Sequence, residues 1–185
     1  MWRWDLNRNE IYIRKLELSD CSSLLDLRLR NRDFLQPFEP LHQEAFYTLS
    51  GQSGILEKLT QSWGQGTGYG FGIFLRNSEK LIGRVSLSNV VRGAWESCTI
   101  GYFLDQRYNG HGIMTRAVRL AVGFAFEQAF LHRVQGAVMP RNTASIRVLE
   151  KVGFVYEGLA KYYLKINGHW ENHHIYSITR EQWNS

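Results

Sequence analysis

Several features that would settle a protein's class early are scarce or missing in this chain. Only two of its 185 residues are cysteine. Cys21 and Cys98 belong to no Cys-x-x-Cys pair, which argues against a disulfide framework or a zinc site. The six histidines show no ligand spacing, so no metal is expected. No apolar run approaches the length of a membrane span, and Met1–Asn7 lacks the apolar core of a secretory signal. The expectation is a reduced, cytoplasmic protein with no membrane partner. There is no block of five basic residues, although the formal net charge is +5. That balance suits polyanionic ligands such as coenzymes, nucleotides or nucleic acid, without marking a dedicated nucleic-acid patch. Internal repeats, linkers and low-complexity tracts are also missing.

What is present is enough apolar material for one folded domain over 1–185. Hydrophobic residues make up 44% of the chain and aromatics 14%, too much for disorder. Ile11, Ile13 and Leu16 alternate with polar neighbours and predict a first strand. Ser19 reads as the N-cap of a helix carrying Leu24, Leu25, Leu27 and Leu29. Phe34–Pro40 holds two prolines and reads as an aromatic loop. Ile55, Leu56, Leu59 and Trp63 predict a second, short helix. Residues 69–75 and 81–91 read as antiparallel strands joined at Asn77-Ser78, and a third strand runs from about Trp95 to Leu104. Residues 112–130 have helical periodicity with a narrow polar stripe of Arg116, Arg119, Gly123 and Glu127. A strand over 133–139 follows, burying Val134, Gly136 and Val138. Asn142 caps a helix with apolar positions Ala144, Val148 and Val152, and Gly153 stops it. Asn167-Gly168 is the strongest hairpin signal in the chain. The fold class is α/β (α+β), with a mixed, mostly antiparallel sheet flanked by helices.

The segment richest in chemical information is Arg107-Tyr-Asn-Gly-His-Gly112, between the third strand and the long helix. Glycines at a strand–helix junction let successive amides converge on an anion, and the helix dipole adds favourable potential. A P-loop would need a Gly-Lys-Ser/Thr that is not here. A Rossmann turn would need a third glycine where Thr115 stands. A third pattern, Arg-x-x-Gly-x-Gly, is similar to the pyrophosphate signature of acetyl-CoA-dependent N-acetyltransferases.

With that segment go Gly101-Tyr102 before it, Gly112–Val118 opening the helix, Asn142-x-x-Ser145, Glu150–Phe154 and Glu157-Gly158. On these residues the chain resembles the GNAT acetyltransferase superfamily. Phe34–Pro40, Ser88–Gly93, Ile166–Trp170 and a C-terminal Trp make it similar to the RimJ type of ribosomal-protein-alanine N-acetyltransferases. The resemblance implies a V-shaped split between parallel strands, here about 96–104 and 133–139, that takes acetyl-CoA. It implies pantetheine pairing near Phe103 and Leu104. It places the pyrophosphate on the amides of Arg107, Tyr108, Asn109, Gly110, His111 and Gly112, with Ile113 and Met114 opening the helix. Asn142 and Ser145 are further implied coenzyme contacts. The implied partner is a protein N-terminus, that of a ribosomal protein being one candidate, with no nucleic acid or membrane required, in a monomer or homodimer.

Acetyl transfer from a thioester needs a neutral amine, a stabilised oxyanion and a proton for the leaving thiolate. A peptide α-amine has a pKa of about 7.7–8.0, against about 10.4 for lysine, so it makes a modest demand for a base. The glutamate that many relatives carry two residues before Gly-Tyr is Thr99 here, and the tyrosine seven residues after the Asn is Leu149. Candidate bases are Glu96 and Glu39, acting directly or through water, and Glu39 serves equally as a binder of the amine. Either carboxylate also reads as ordinary strand or loop surface. Ser145 is the candidate acid, and equally a hydroxyl in the first turn of a capped helix. Tyr162 and Tyr163 reach toward an acceptor groove or pack in the sheet. Attack on the thioester is expected to be direct, since neither cysteine lies in a nucleophile motif. Two other readings keep the coenzyme: acetylation of a small amine (an antibiotic or polyamine), and a non-catalytic CoA-responsive module on ribosomes or RNA.

Overall fold

The computed structural model describes residues 3–4 and 10–183, so most of the Met1–Asn7 segment lies outside the described residues. Eight strands form one sheet in the order β1-β2-β3-β4-β5-β6-β8-β7. They are β1 (Arg3–Trp4), β2 (Ile11–Lys15), β3 (Tyr69–Leu75), β4 (Leu81–Val91), β5 (Ser97–Leu104), β6 (Arg133–Val138), β7 (Val155–Ile166) and β8 (His169–Thr179). The helices are α1 (Cys21–Arg30), α2 (Arg32–Leu35), α3 (Leu49–Gln65), α4 (Ile113–Glu127), α5 (Thr143–Val152) and α6 (Arg180–Trp183).

Among the described residues every strand pairing is antiparallel except one. β5 and β6 run parallel from Ser97/Arg133 to Ile100/Gly136. Pairing stops there, although β5 continues to Leu104 and β6 to Val138. The two strands therefore part in the middle of the sheet.

Period-two alternation sends the two sides of β5 into different cores. Cys98, Ile100 and Leu104 enter the larger cluster with α4 and α5, and Tyr102 packs against it. Phe103 faces the other way, into a smaller cluster with Leu24 and Leu27 of α1 and Leu56 of α3. The α4 side is nearly all buried, including Gly123, so the polar stripe expected from the sequence is narrower than it reads.

Other local expectations need adjusting. Ser19 is not the cap of α1. It lies in a 3₁₀ turn, Leu18–Asp20, where Glu17 and Asp20 form a reciprocal capping box. Two acidic side chains each satisfy a free amide there, which one serine hydroxyl would do only once. Phe34–Pro40 is not wholly loop, since α2 covers Phe34 and Leu35 and a 3₁₀ turn spans Gln36–Phe38 with Pro37 near its start. Proline's fixed φ and missing N–H suit that first turn. The second helix is longer than its apolar spacing implies, running the 17 residues of α3 from a Thr48 cap to a left-handed Gly66. On α5 the buried positions are Leu149 and Val152, while Ala144 is exposed and Val148 half-buried. Strands β3 and β4, the Asn142 cap, the Gly153 stop and the Asn167-Gly168 turn lie where the pattern put them.

Candidate active site

The cradle is built from backbone. Gly110 and Gly112 sit at φ 84° and 71°, the left-handed region that side chains rarely adopt. A Cβ at either would meet no protein atom within 4 Å, so the constraint is conformational and the space above stays open to a ligand. Among the described residues, the amides of Gly110, His111 and Gly112 donate to no other loop or cap carbonyl. Gly112 caps α4 without a side-chain acceptor, leaving the first-turn amides of Ile113 and Met114 free as well. Free amides converging at the N-terminus of a 15-residue helix fit a pyrophosphate.

The cradle is held from below by Asp105. This buried carboxylate accepts from Arg30 Nε at 2.8 Å and Arg107 Nη2 at 2.9 Å. Burial alone would raise its pKa, but the hydrogen bonds from Arg107 and Arg30 hold it well below the usual carboxylate range. Arg107 is thus tied into the loop by its side chain. Tyr108 and Asn109 close a 3₁₀ turn through their amides, to Asp105 O at 2.9 Å and Gln106 O at 3.2 Å.

Upstream of the cradle, Phe103 and Leu104 lie where β5 has lost β6 as a partner, so that edge of the strand is free to pair with an extended ligand. Across the split, Asn142 Oδ1 accepts the Ser145 amide at 3.1 Å, a cap worth about 1 kcal/mol. The Tyr102 hydroxyl lies 2.9 Å from Ser145 Oγ and donates to the Ser145 carbonyl at 3.2 Å. Burial raises the Tyr102 pKa against the opposing hydrogen bond from Ser145, so the phenol stays protonated at neutral pH. Sequence reasoning passed over Tyr102 as a chemical group. The signal for it was alternation along β5, which puts residues 100, 102 and 104 on the α5 side. Leu149, seven residues after Asn142, is core; its methyls lie 3.1 Å from where a Cβ on Gly136 would stand.

The other face of the split is built from side chains. Arg28, Glu39, Arg84, Ser86 and Gly101–Phe103 line a pocket of about 180 Å³. Glu39 Oε1 and Oε2 accept from Arg28 Nη1 at 2.7 and 2.9 Å, and the Arg28 guanidinium stacks 3.7 Å over the Phe103 ring. His42 stands 3.6 Å from Glu39, with its pKa lowered by burial. The loop carrying Glu39 is tied across the split: its carbonyl accepts the Asn167 amide at 2.9 Å, and Arg141 Nη2 donates to the Pro37 carbonyl at 3.4 Å.

Glu96 is not brought to the split. It is exposed, precedes β5 in a left-handed conformation (φ 39°), and its carbonyl accepts the amides of His132 and Arg133. At about 3.3 Å per residue it lies roughly 16 Å from Gly101. Tyr162 is 72% exposed in a bulge of β7, also away from the pocket lining. Tyr163 packs near the His173 ring, centroids 5.8 Å apart. Burial pushes the Cys98 thiol up to about 12, leaving no thiolate there at neutral pH.

Comparison with known proteins agrees with this geometry. The acetyltransferase (GNAT) domain family matches residues 10–155. A probable N-acetyltransferase of Bacillus subtilis, YjcK, is 45% identical over 173 residues, spanning 94% of this chain and 96% of its own. The ribosomal-protein-S5-alanine acetyltransferase of Vibrio fischeri superposes with a TM-score of 0.92 at 36% identity, covering 99% of both chains. Mycobacterium smegmatis RimJ, solved with CoA-disulfide, superposes with a TM-score of 0.90 at 30% identity, over 95% of this chain and 84% of its own. No helix among the described residues is long and apolar enough to cross a membrane. Free amides at a helix N-terminus, parting parallel strands and full-length relatives converge, and the chain belongs to the GNAT family of acetyl-CoA-dependent N-acetyltransferases.

Proposed function

We propose that the enzyme acetylates the α-amine of a protein N-terminus, a ribosomal protein beginning with alanine being the leading acceptor, in the cytoplasm. The observation that carries this reading is the small pocket beside the split, with Glu39 on its wall and the Glu39 loop tied to the β7–β8 turn. A pocket of about 180 Å³ suits the end of an extended chain. The alanine preference rests on likeness to relatives named for that activity.

Acetyl-CoA supplies an acetyl group already activated as a thioester. Arg28 holds the Glu39 carboxylate in one orientation, where it hydrogen-bonds the incoming amine. Much of an α-amine is neutral near its pKa of about 7.7–8.0, so a strongly basic carboxylate is not required. Ser145 gives its proton to the departing thiolate while the Tyr102 hydroxyl, 2.9 Å away, orients it. The proton released by the attacking amine returns to the serine, directly or through water, so the site ends as it began. Glu96 has no part in this scheme.

Incubation with labelled acetyl-CoA and a panel of N-terminal peptides tests it. Transfer to Ala-initiated peptides, abolished by blocking the α-amine but not by removing lysine, is the expected result. Transfer only to small amines, or coenzyme binding with no transfer, would overturn the acceptor reading.

A further inference from the structure

The pocket beside the split does not end at Ser86. It shares Arg84 and Ser86 with a groove of about 500 Å³ that follows β4 through Ser88 to Val91, walled by Leu59 and Ser62 of α3. The floor is hydroxylic: Ser86 Oγ donates to the Gly101 carbonyl at 3.3 Å and Ser88 Oγ to the Thr99 carbonyl at 3.4 Å. From Ser86 to Val91 is roughly 16 Å of strand, room for about four or five extended residues.

Arg84 stands where pocket and groove join, attracted by Glu39 but with no direct partner among the described residues. Its Nε is buried with no hydrogen-bond partner, and the side chain makes no ion pair among the described residues. The nearby carboxylate is bonded directly to Arg28 instead, both Glu39 oxygens accepting from its Nη1. Two guanidiniums therefore share one carboxylate, leaving an excess positive charge at the junction. Burial first, then repulsion from Arg28, draws the Arg84 pKa down to about 10, still a cation at neutral pH. A half-buried cation without a partner is costly, and a carboxylate arriving on its planar fork removes that cost. The donor is not the source of this anion. Arg84 pairs in register with Phe103 on the α1–α3 face, whereas the cradle opens α4 on the other.

We propose that the groove along β4 holds the acceptor polypeptide beyond its first residue, and that Arg84 binds an acidic side chain at its second or third position. The enzyme then selects N-termini bearing Asp or Glu just after the acetylated residue. This rests on the N-terminal reading above and goes beyond it, since nothing in that reading sets the sequence after the first residue.

The test is acetyl transfer to Ala-initiated peptides differing only in Glu, Gln or Lys at positions two and three. Wild-type kcat/KM is expected to be about tenfold higher for Glu than for Gln, mostly through KM, and lowest for Lys. In Arg84→Gln the Glu/Gln ratio falls to about one, and Arg84→Lys gives an intermediate ratio because it keeps the charge and loses the fork. Melting curves check that the variants fold. If Arg84→Gln does not, the wild-type ratio and the Arg84→Lys ratio still decide. Equal wild-type kcat/KM for Glu and Gln peptides, or a preference unchanged in the Arg84 variants, overturns the inference and leaves N-terminal transfer standing. Absence of transfer to any peptide overturns both.

Discussion

The two faces of the sheet build their halves of the site from different materials. On the α4–α5 face the binding elements are backbone: free amides at Gly110–Gly112, an unpaired strand edge at Phe103–Leu104 and a helix N-terminus. On the α1–α3 face they are side chains, with Arg28, Glu39, Arg84 and Ser86 drawn from separate segments. Backbone recognition depends on conformation and tolerates most side-chain change; side-chain recognition depends on each residue's identity. The donor half is therefore suited to one invariant ligand, and the acceptor half to a ligand that differs among relatives.

The comparison can be broken in several places. The largest effect is expected at the hydroxyl pair that spans the split on the α4–α5 face. Ser145→Ala should lower kcat on the order of a hundredfold with coenzyme Kd nearly unchanged. Tyr102→Phe should lower it comparably, and the double variant should fall well short of the product of the two. Single-turnover kinetics and calorimetric titration check this; unchanged kcat in Ser145→Ala removes the serine as acid. Next comes Gly112→Val. Forcing a β-branched residue to φ 71° costs about 1–2 kcal/mol, so coenzyme Kd should rise roughly tenfold or more. Glu39→Gln should raise acceptor KM about tenfold while coenzyme Kd holds, separating the faces by their kinetic signatures. A matching rise in coenzyme Kd would show that the faces are not independent.

A smaller effect is expected from acid. Hydrogen bonding from Arg133, aided by Ser177 and opposed by burial, lowers the Glu157 pKa to about 2. Its folded pKa lies below the unfolded one, so its stabilisation is complete above the unfolded value near 4.5 and is lost as pH falls toward 2. Its side chain is 38% exposed, and solvent screening keeps the whole effect near 1 kcal/mol. Melting curves of wild type and Glu157→Gln should converge between pH 4.5 and pH 2 and stay parallel above it. The smallest effect is at Glu96→Gln, expected to leave kcat/KM within about twofold because the carboxylate stands outside both faces.

The same contrast explains what could be read from the sequence. The cradle lies within six consecutive residues, Arg107–Gly112, and its glycines declare their backbone directly. The parting of β5 and β6 was implied by family resemblance, and its end point needed the observed register. Tyr102 was visible as a letter but not as a neighbour of Ser145, because a strand and a helix turn 43 residues apart meet only in the fold. Arg84 is one arginine in an alternating strand, and nothing local says that its counterion is missing. Ser19 was mistaken for a cap because a capping box is a mutual arrangement of Glu17 and Asp20, and single residues advertise it weakly.

The tie between the Glu39 loop and the Asn167-Gly168 turn has a consequence for how the protein comes into being. Gln36 and Asn167, which meet there, are 131 positions apart, so the chain is nearly all synthesised before that lintel can form. The cradle's long tie, Arg30 to Asp105, spans 75 positions, and its glycine turn is local. A long closure of this kind follows the local contacts in time, because its entropy must be offset by structure already in place. The nascent enzyme should thus acquire its grip on acetyl-CoA before its choice of acceptor. Pulse-labelled amide exchange during refolding would show this order as Asn167 protecting after Arg116, whose amide donates to the Gly112 carbonyl.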